Sequence, residues 1–173
     1  MEWHDRDEVK KGDFGESIVR RWMESQGWVL YRPETEGPHA FDRVCVKGKK
    51  EIMIAEVKTK ARMTQYNATG FNTRHFREYC TISDRHNLDV FIFFVDEHIR
   101  SVYGNYLSAL RQEHKVDGII YPKTLRRGEI IIFSLEKMIT ITKIEEEEAA
   151  FLKSASHRNY EYPTAQAAEE WAW

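Results

Sequence analysis

Residues 49–62 read KKEIMIAEVKTKAR. The apolar run Ile52, Met53, Ile54, Ala55 predicts a buried strand, yet it stops on Glu56, Val57 and Lys58, followed by Lys60 and Arg62. Residues two apart in a strand share a face, so Ile52, Ile54, Glu56 and Lys58 lie together and Met53, Ala55 and Val57 line the other side. The preceding FDRVCVK (41–47) predicts a second strand, joined by Gly48-Lys49-Lys50 into a hairpin. A three-residue turn sets Lys47 opposite Glu51 and carries Asp42 opposite Glu56 on one face. A two-residue turn would send Asp42 to the other face.

Two carboxylates placed opposite one another repel, and burying them raises a pKa or demands a cation. A divalent metal resolves the conflict. Mg²⁺ (or Mn²⁺) is hard and is commonly held by one or two carboxylates, water and substrate phosphate. Asp42 and Glu56 would supply the carboxylates and the Val57 carbonyl a further oxygen. The Lys58 ammonium, on the same face, would orient water or neutralise phosphoryl charge. The bland alternative is an exposed Glu56–Lys58 pair at a strand end. Glu-x-Lys alone decides nothing, since Glu8/Lys10 and Glu113/Lys115 repeat it. Only the copy at 56/58 closes an apolar strand with an aspartate on the preceding arm.

Outward from the hairpin, Phe14, Ile18, Val19, Trp22 and Met23 recur at helical spacing and predict a helix over 10–26 stopped by Gly27. Glu16 falls at the edge of that apolar face and can reach the carboxylate pair; an ordinary solvated helix residue is the competing reading. WVLYR (28–32) predicts a strand and PETEGPHA (33–40) a loop. Residues 61–73 read as a mobile loop and 73–87 as a helix with Phe76, Tyr79, Cys80 and Ser83 inward. DVFIFFVDE (89–97) is the most apolar strand. A short helix over Tyr106–His114, strands near 118–121, 129–134 and 138–144, and a helix over 145–155 complete the pattern. The order predicts an α/β or α+β fold, a central mixed β-sheet flanked by helices.

The stretches KGDFGESIVRRWMESQGW, PHAFD and IAEVK together resemble the PD-(D/E)XK nuclease superfamily, most closely its Holliday-junction-resolvase-like and phage-type members. The resemblance covers roughly residues 10–96. The usual proline before the aspartate is Phe41 here, with Pro38 just upstream. The resemblance implies a restriction-endonuclease-like core and a metal-dependent DNA endonuclease, structure-directed or weakly sequence-specific. By the same token Asp42 and Glu56 would bind Mg²⁺ or Mn²⁺, Lys58 would assist the water, Glu16 would complete the catalytic site, and the protein would act as a homodimer. A catalytically inactive nucleic-acid-binding protein on the same fold is the rival reading.

The 173 residues and 42% hydrophobic content fit one globular domain. Residues 1–143 are expected to form the core and 144–173 an acidic helix and tail packed on it, with seven acids against two bases in that segment. Residues 43–62 carry seven bases against two acids. Either a phosphate backbone or bare solubility accounts for that excess, and Lys60 and Arg62 belong to it. Arg74, His75 and Arg77 on the next helix are candidate phosphate contacts, and Tyr66 and Phe71 candidate stacking residues. Asp96-Glu97 ends the central strand as a weaker candidate, and Trp171 and Trp173 could dock on a partner or on the domain itself. Cys45 and Cys80 read as isolated reduced thiols. No apolar run suits a membrane span, and the charged N-terminus excludes a secretory signal, so a cytosolic protein is expected.

Overall fold

A computed structural model describes residues 7–34, 41–63 and 65–155. Pro38 and the tail bearing Trp171 and Trp173 lie outside the described residues. In chain order the elements are α1 (Asp7–Ser25), β1 (Val29–Tyr31), β2 (Arg43–Lys47), β3 (Glu51–Thr59), β4 (Ala68–Asn72), α2 (Thr73–His86), β5 (Asp89–Asp96) and β6 (Ser101–Tyr106). They continue with α3 (Leu107–Leu110), β7 (His114–Val116), β8 (Ile119–Tyr121), β9 (Lys123–Leu125), β10 (Ile130–Ser134), β11 (Ile139–Lys143) and α4 (Glu146–Ser154).

Six strands form the main sheet in the order β1-β2-β3-β5-β6-β11. Among the described residues only β3 and β5 pair in parallel, which requires a crossover, and the chain makes it through β4 and α2. The sheet is therefore mixed, as the pattern predicted. β5 is buried on both faces from Val90 to Asp96, which is why it reads as an unbroken apolar run.

Alternation along β3 divides the core. Met53 and Ala55 join Ile18, Val19 and Met23 of α1 and Leu152 of α4 on one face. Ile54 joins Tyr79 of α2, Ile92 and Phe94 of β5, and Phe71 and Phe133 on the other. Phe71 and Phe133 come from a second sheet, β4-β10-β9, which covers the same face as α2. Ile52, expected to be buried, is 49% exposed, because neither layer reaches the turn end of the hairpin.

Glycine sets two of these positions. Gly27 takes φ 84°, and Gly27 N–H and Trp28 N–H bond to the carbonyls of Glu24 and Met23, closing α1 with a Schellman turn. Gly15 lets α1 lie directly on β3: a β-carbon there would stand 1.9 Å from Thr59 Oγ1. Gly15→Ala is therefore expected to destabilise the protein by about 1–3 kcal/mol through overpacking. A denaturant titration of Gly15→Ala and of Gly15→Ala/Thr59→Ala checks this, with the second change restoring part of the loss.

Three sequence expectations are corrected: the loop over 61–73, the stacking role of Phe71 and the helix over Tyr106–His114. The loop over 61–73 contains β4, whose residues Ala68–Asn72 pair with β10, and Gly70 packs under the Ile131 carbonyl. Phe71 is buried among Phe76, Tyr79, Phe94 and Phe133, so it packs the core and has no face free for a base. Tyr66 lies against the core patch built on Ala68 and Ile132, with Lys123 Nζ 5.1 Å from its ring. The helix over Tyr106–His114 is only α3; His114–Val116 instead pairs with Ile119–Tyr121 around Asp117-Gly118, both at positive φ. Asp-Gly between apolar residues is a hairpin signal that helical spacing upstream had masked.

Candidate active site

The β2–β3 register has Arg43 opposite Ala55 and Lys47 opposite Glu51, the three-residue-turn pairing. Continuing it by one residue brings Asp42 to Glu56. Asp42 N–H donates to Glu56 Oε2 at 3.2 Å, and Val57 N–H donates to Asp42 Oδ2 at 2.7 Å. The backbone of each arm thus fixes the carboxylate of the other.

Glu56 is only 4% exposed. Its Oε1 accepts from Lys58 Nζ at 2.5 Å and from the Tyr79 hydroxyl at 2.5 Å. Lys58 Nζ also donates to the Tyr79 oxygen at 3.0 Å and lies 5.5 Å from the Phe71 ring centroid. Glu56, Lys58 and Tyr79 form a closed triangle whose corners come from β3 and α2. The exposed strand-end pair is therefore not what the chain builds.

Burial, and then the Glu56 charge, push the Asp42 carboxyl up to about 6; the Val57 N–H, Lys58 and Arg43 oppose the shift. Burial and the charge on Glu56 push the Tyr79 phenol far up, so it stays a hydrogen-bond donor. Glu16 is raised by burial first and by Asp42 second. Glu16 does not join the carboxylate pair directly. Its Oε2 meets Arg43 Nη2 at 2.8 Å, while Arg43 Nη1 donates to the Asp42 carbonyl at 2.7 Å. Arg43 is the link between Glu16 and Asp42.

Among the described residues no group of three His, Cys, Asp or Glu side chains is close enough to hold a metal. The pair present nevertheless fits a hard divalent cation. Asp42 and Glu56 offer only carboxylate oxygen, Glu56 is buried and Asp42 half-buried, and burial with the neighbouring Glu56 charge pushes the Asp42 carboxyl up to about 6. Two carboxylates match the number Mg²⁺ usually takes from a protein. Val57 meets Asp42 through its backbone N–H.

The other residues singled out in the sequence separate. Lys60 continues along β5, its N–H donating to the Val95 carbonyl at 3.0 Å. Arg62 is turned to Asp96: its N–H lies 3.0 Å and its Nε 3.5 Å from Asp96 Oδ2. Asp96 is fully buried and its Oδ1 accepts from His98 N–H at 3.0 Å, so it organises the turn after β5. Glu97 is equally buried and pairs with Lys11 of α1 at 2.5 Å. Arg74 is exposed and pairs with Glu78 at 3.6 Å. Arg77 lines a groove between α2 and Gly128-Glu129 with Asn72, Thr73 and Arg74. His75 lies beside Tyr79 at 6.3 Å between rings, and burial followed by the Lys58 charge lowers its pKa.

Sequence reasoning missed Tyr79 as a site residue and the linking role of Arg43. The available signal for Tyr79 was a phenol on the inward face of a helix, where its hydroxyl must find a partner. Tyr79→Phe removes the donor to Glu56 and leaves the ring. A hydrogen bond to a charged group is worth about 1.5–3 kcal/mol, so the melting temperature should fall and any turnover at this site should drop roughly tenfold. A melting curve and single-turnover rates check both.

No family model matches the sequence, and no curated protein matches it. Among solved structures, the chain is similar to Hjc from Archaeoglobus fulgidus, a Holliday junction resolvase from an archaeal hyperthermophile. The TM-score is 0.51 at 12% identity, over 80% of this chain and 99% of that one. The fold is the restriction-endonuclease-like fold expected from the sequence.

Proposed function

We propose that this chain, built on the fold of the PD-(D/E)XK nucleases, is a metal-dependent DNA endonuclease. The observation that carries the reading is the opposed Asp42–Glu56 pair, Asp42 half-buried and Glu56 buried, with the Lys58 ammonium on Glu56. A domain gains no stability from opposed buried carboxylates, so their placement points to a cation and a reaction.

In this reading Asp42, Glu56 and the Val57 carbonyl hold Mg²⁺ or Mn²⁺, with Glu16 supporting Asp42 through Arg43. The cation, when bound, supplies Lewis acidity toward the phosphoryl oxygens. Lys58 leaves Glu56 for the reacting centre, where its ammonium orients the attacking water and offsets developing charge. Tyr79 keeps Glu56 aimed during that exchange. The balance is hydrolysis: a water oxygen bonds to phosphorus, one ester P–O bond breaks, and the water proton ends on the leaving oxygen. The likeness to a Holliday junction resolvase supports branched DNA as substrate. A homodimer would place two sites on two strands.

The test is cleavage of a four-way junction, linear duplex and supercoiled plasmid by wild type and Glu56→Gln, with Mg²⁺, Mn²⁺ or EDTA. Wild type should cut only with metal, the junction best, and Glu56→Gln not at all. Binding without cleavage of any of the three would transfer the case to a nucleic-acid-binding protein.

A further inference from the structure

The active-site face of the sheet does not end at Lys58. On β5, Phe94 lies opposite Lys58, and Asp96 follows two residues and about 6.6 Å further along. Alternation keeps Asp96 on the face of Ile92 and Phe94, the face that also bears Ile54, Glu56 and Lys58. Its hydrogen bond from the Tyr103 hydroxyl at 3.4 Å agrees, because Tyr103 packs in the same layer. Asp96 is fully buried, and four neutral donors reach it: Arg62 N–H and the Tyr103 hydroxyl on Oδ2, His98 N–H and Ile99 N–H on Oδ1. A carboxylate has about four lone-pair sites, so these donors fill it.

The Arg62 guanidinium therefore meets a carboxylate whose hydrogen bonds are already made. Nε is its nearest nitrogen, 3.5 Å from Oδ2, and it makes no hydrogen bond among the described residues although it is buried. The Arg62 side chain is 38% exposed and that of Asp96 0%. The contact thus closes the Nε edge and leaves the Nη side toward solvent. Among the described residues the Nη donors have no hydrogen-bond acceptor. An arginine committed to its carboxylate would lay the planar fork on both oxygens. Here the carboxylate holds the guanidinium in place by charge and leaves its fork to be used elsewhere. The Arg62 backbone N–H donates to the same carboxylate at 3.0 Å, so the root of the side chain is fixed as well.

We propose that Arg62, aimed by Asp96, binds an internucleotide phosphate of DNA beside the phosphate on which the Asp42–Glu56–Lys58 site acts. The neighbouring position rests on the nuclease reading; the contact with DNA and its buttress do not. The two Nη groups of a guanidinium suit two oxygens in one plane, which a phosphodiester offers and a hydroxyl does not. A buried carboxylate behind the fork removes in advance the rotamer freedom that a long side chain otherwise loses on binding. Asp96 is a positioning residue: it touches Arg62 and not the phosphate. The chain from Lys58 to Arg62 is laid along β5, with Lys60 N–H on the Val95 carbonyl at 3.0 Å, so the contact is tied to the reacting centre.

The test is binding of a fluorescent four-way junction and duplex in EDTA, read by anisotropy over a salt series, beside a melting curve of each protein. The proteins are wild type, Arg62→Gln, Arg62→Lys, Asp96→Asn, the double variant Arg62→Gln/Asp96→Asn, and Lys153→Gln as a control. Lys153 is exposed on α4, across the sheet from Arg62. Arg62→Gln should bind roughly tenfold more weakly and lower the salt slope by about one. Arg62→Lys should keep the slope and still bind more weakly, since a point charge does not replace the fork. Asp96→Asn should weaken binding while Arg62 is present and add nothing to the loss in Arg62→Gln, which separates aiming from a general loosening of the fold. Both Arg62 variants keep the backbone bond to Asp96, so they test the contact even where Asp96→Asn melts below the assay temperature. Wild-type affinity and slope in Arg62→Gln would overturn the contact whether or not the enzyme cuts DNA, and so would a wild type that binds neither DNA. An equal loss from Asp96→Asn with and without Arg62 would overturn the aiming. Weakened binding by Arg62→Gln in a protein that cuts nothing would keep the contact and sink the nuclease reading.

Discussion

Asp42→Asn is expected to abolish metal-dependent cleavage and, at the same time, to raise the stability of the metal-free protein at neutral pH. The asparagine keeps an acceptor for Val57 N–H but removes the like charge beside Glu56. The sign follows from the raised carboxyl. An acid whose pKa rises from 3.8 unfolded to about 6 folded leaves the native state fully stable below the lower value and weakens it as pH climbs through the upper one. Wild type should therefore lose on the order of 2 kcal/mol between about pH 4 and pH 7 through this group, and Asp42→Asn should not. For a chain of this size that is a difference of several degrees in melting temperature. Mg²⁺ should raise the wild-type melting temperature at pH 7 and leave the variant unmoved, and the wild-type effect should fade below about pH 6, where protons compete for Asp42. Thermal melts at several pH values with and without Mg²⁺ decide it; equal slopes for the two proteins would refute the carboxylate-pair account.

Lys58→Ala has the opposite effect on stability and the same effect on turnover. Removing the ammonium leaves the buried Glu56 charge with Tyr79 as its remaining side-chain partner, and breaking one half of a buried pair costs about 3–5 kcal/mol. Lys58 is less buried than Glu56, so the lower end applies. Divalent cation should restore much of the loss by taking over as counter-charge. Cleavage should still fall by about 10²–10³-fold in saturating metal, because the cation cannot replace a donor aimed at the reacting centre. Lys58→Arg should not rescue it, since a planar fork does not occupy the place of a compact ammonium between Glu56 and Tyr79. Junction cleavage under single turnover, beside a melt of each variant, separates the two effects; an unchanged rate in Lys58→Ala would remove Lys58 from the mechanism.

These opposite signs explain why the hairpin was readable from sequence. The spacing Asp42…Glu56-x-Lys58 makes chemical sense only in one register, and the turn Gly48-Lys49-Lys50 has the odd length that produces it. The α1 helix was equally legible, because its apolar spacing and Gly27 both describe contacts within a few residues. What could not be read was whatever depends on distant strands. β4 reads ATGFN, with a glycine at its centre, and becomes a strand because β10, some sixty residues later, pairs with it. Tyr79 looked like one more core aromatic until α2 docked over Glu56. Arg62 looked like a free cation until the turn after β5 placed Asp96 beneath it. Glu16 was placed at the correct edge, but its engagement with Arg43 depends on a side chain that composition had counted only as part of a basic patch.

The single parallel pairing in the main sheet also sets an order of events during folding. Asp42 and Glu56 sit on a local hairpin whose loop is three residues long, so they meet early, while water still screens their repulsion. Tyr79 and Lys60 take their places only when the long crossover through α2 closes β5 against β3, a contact of much larger sequence separation. Desolvation of the carboxylates therefore falls on the late, slow step.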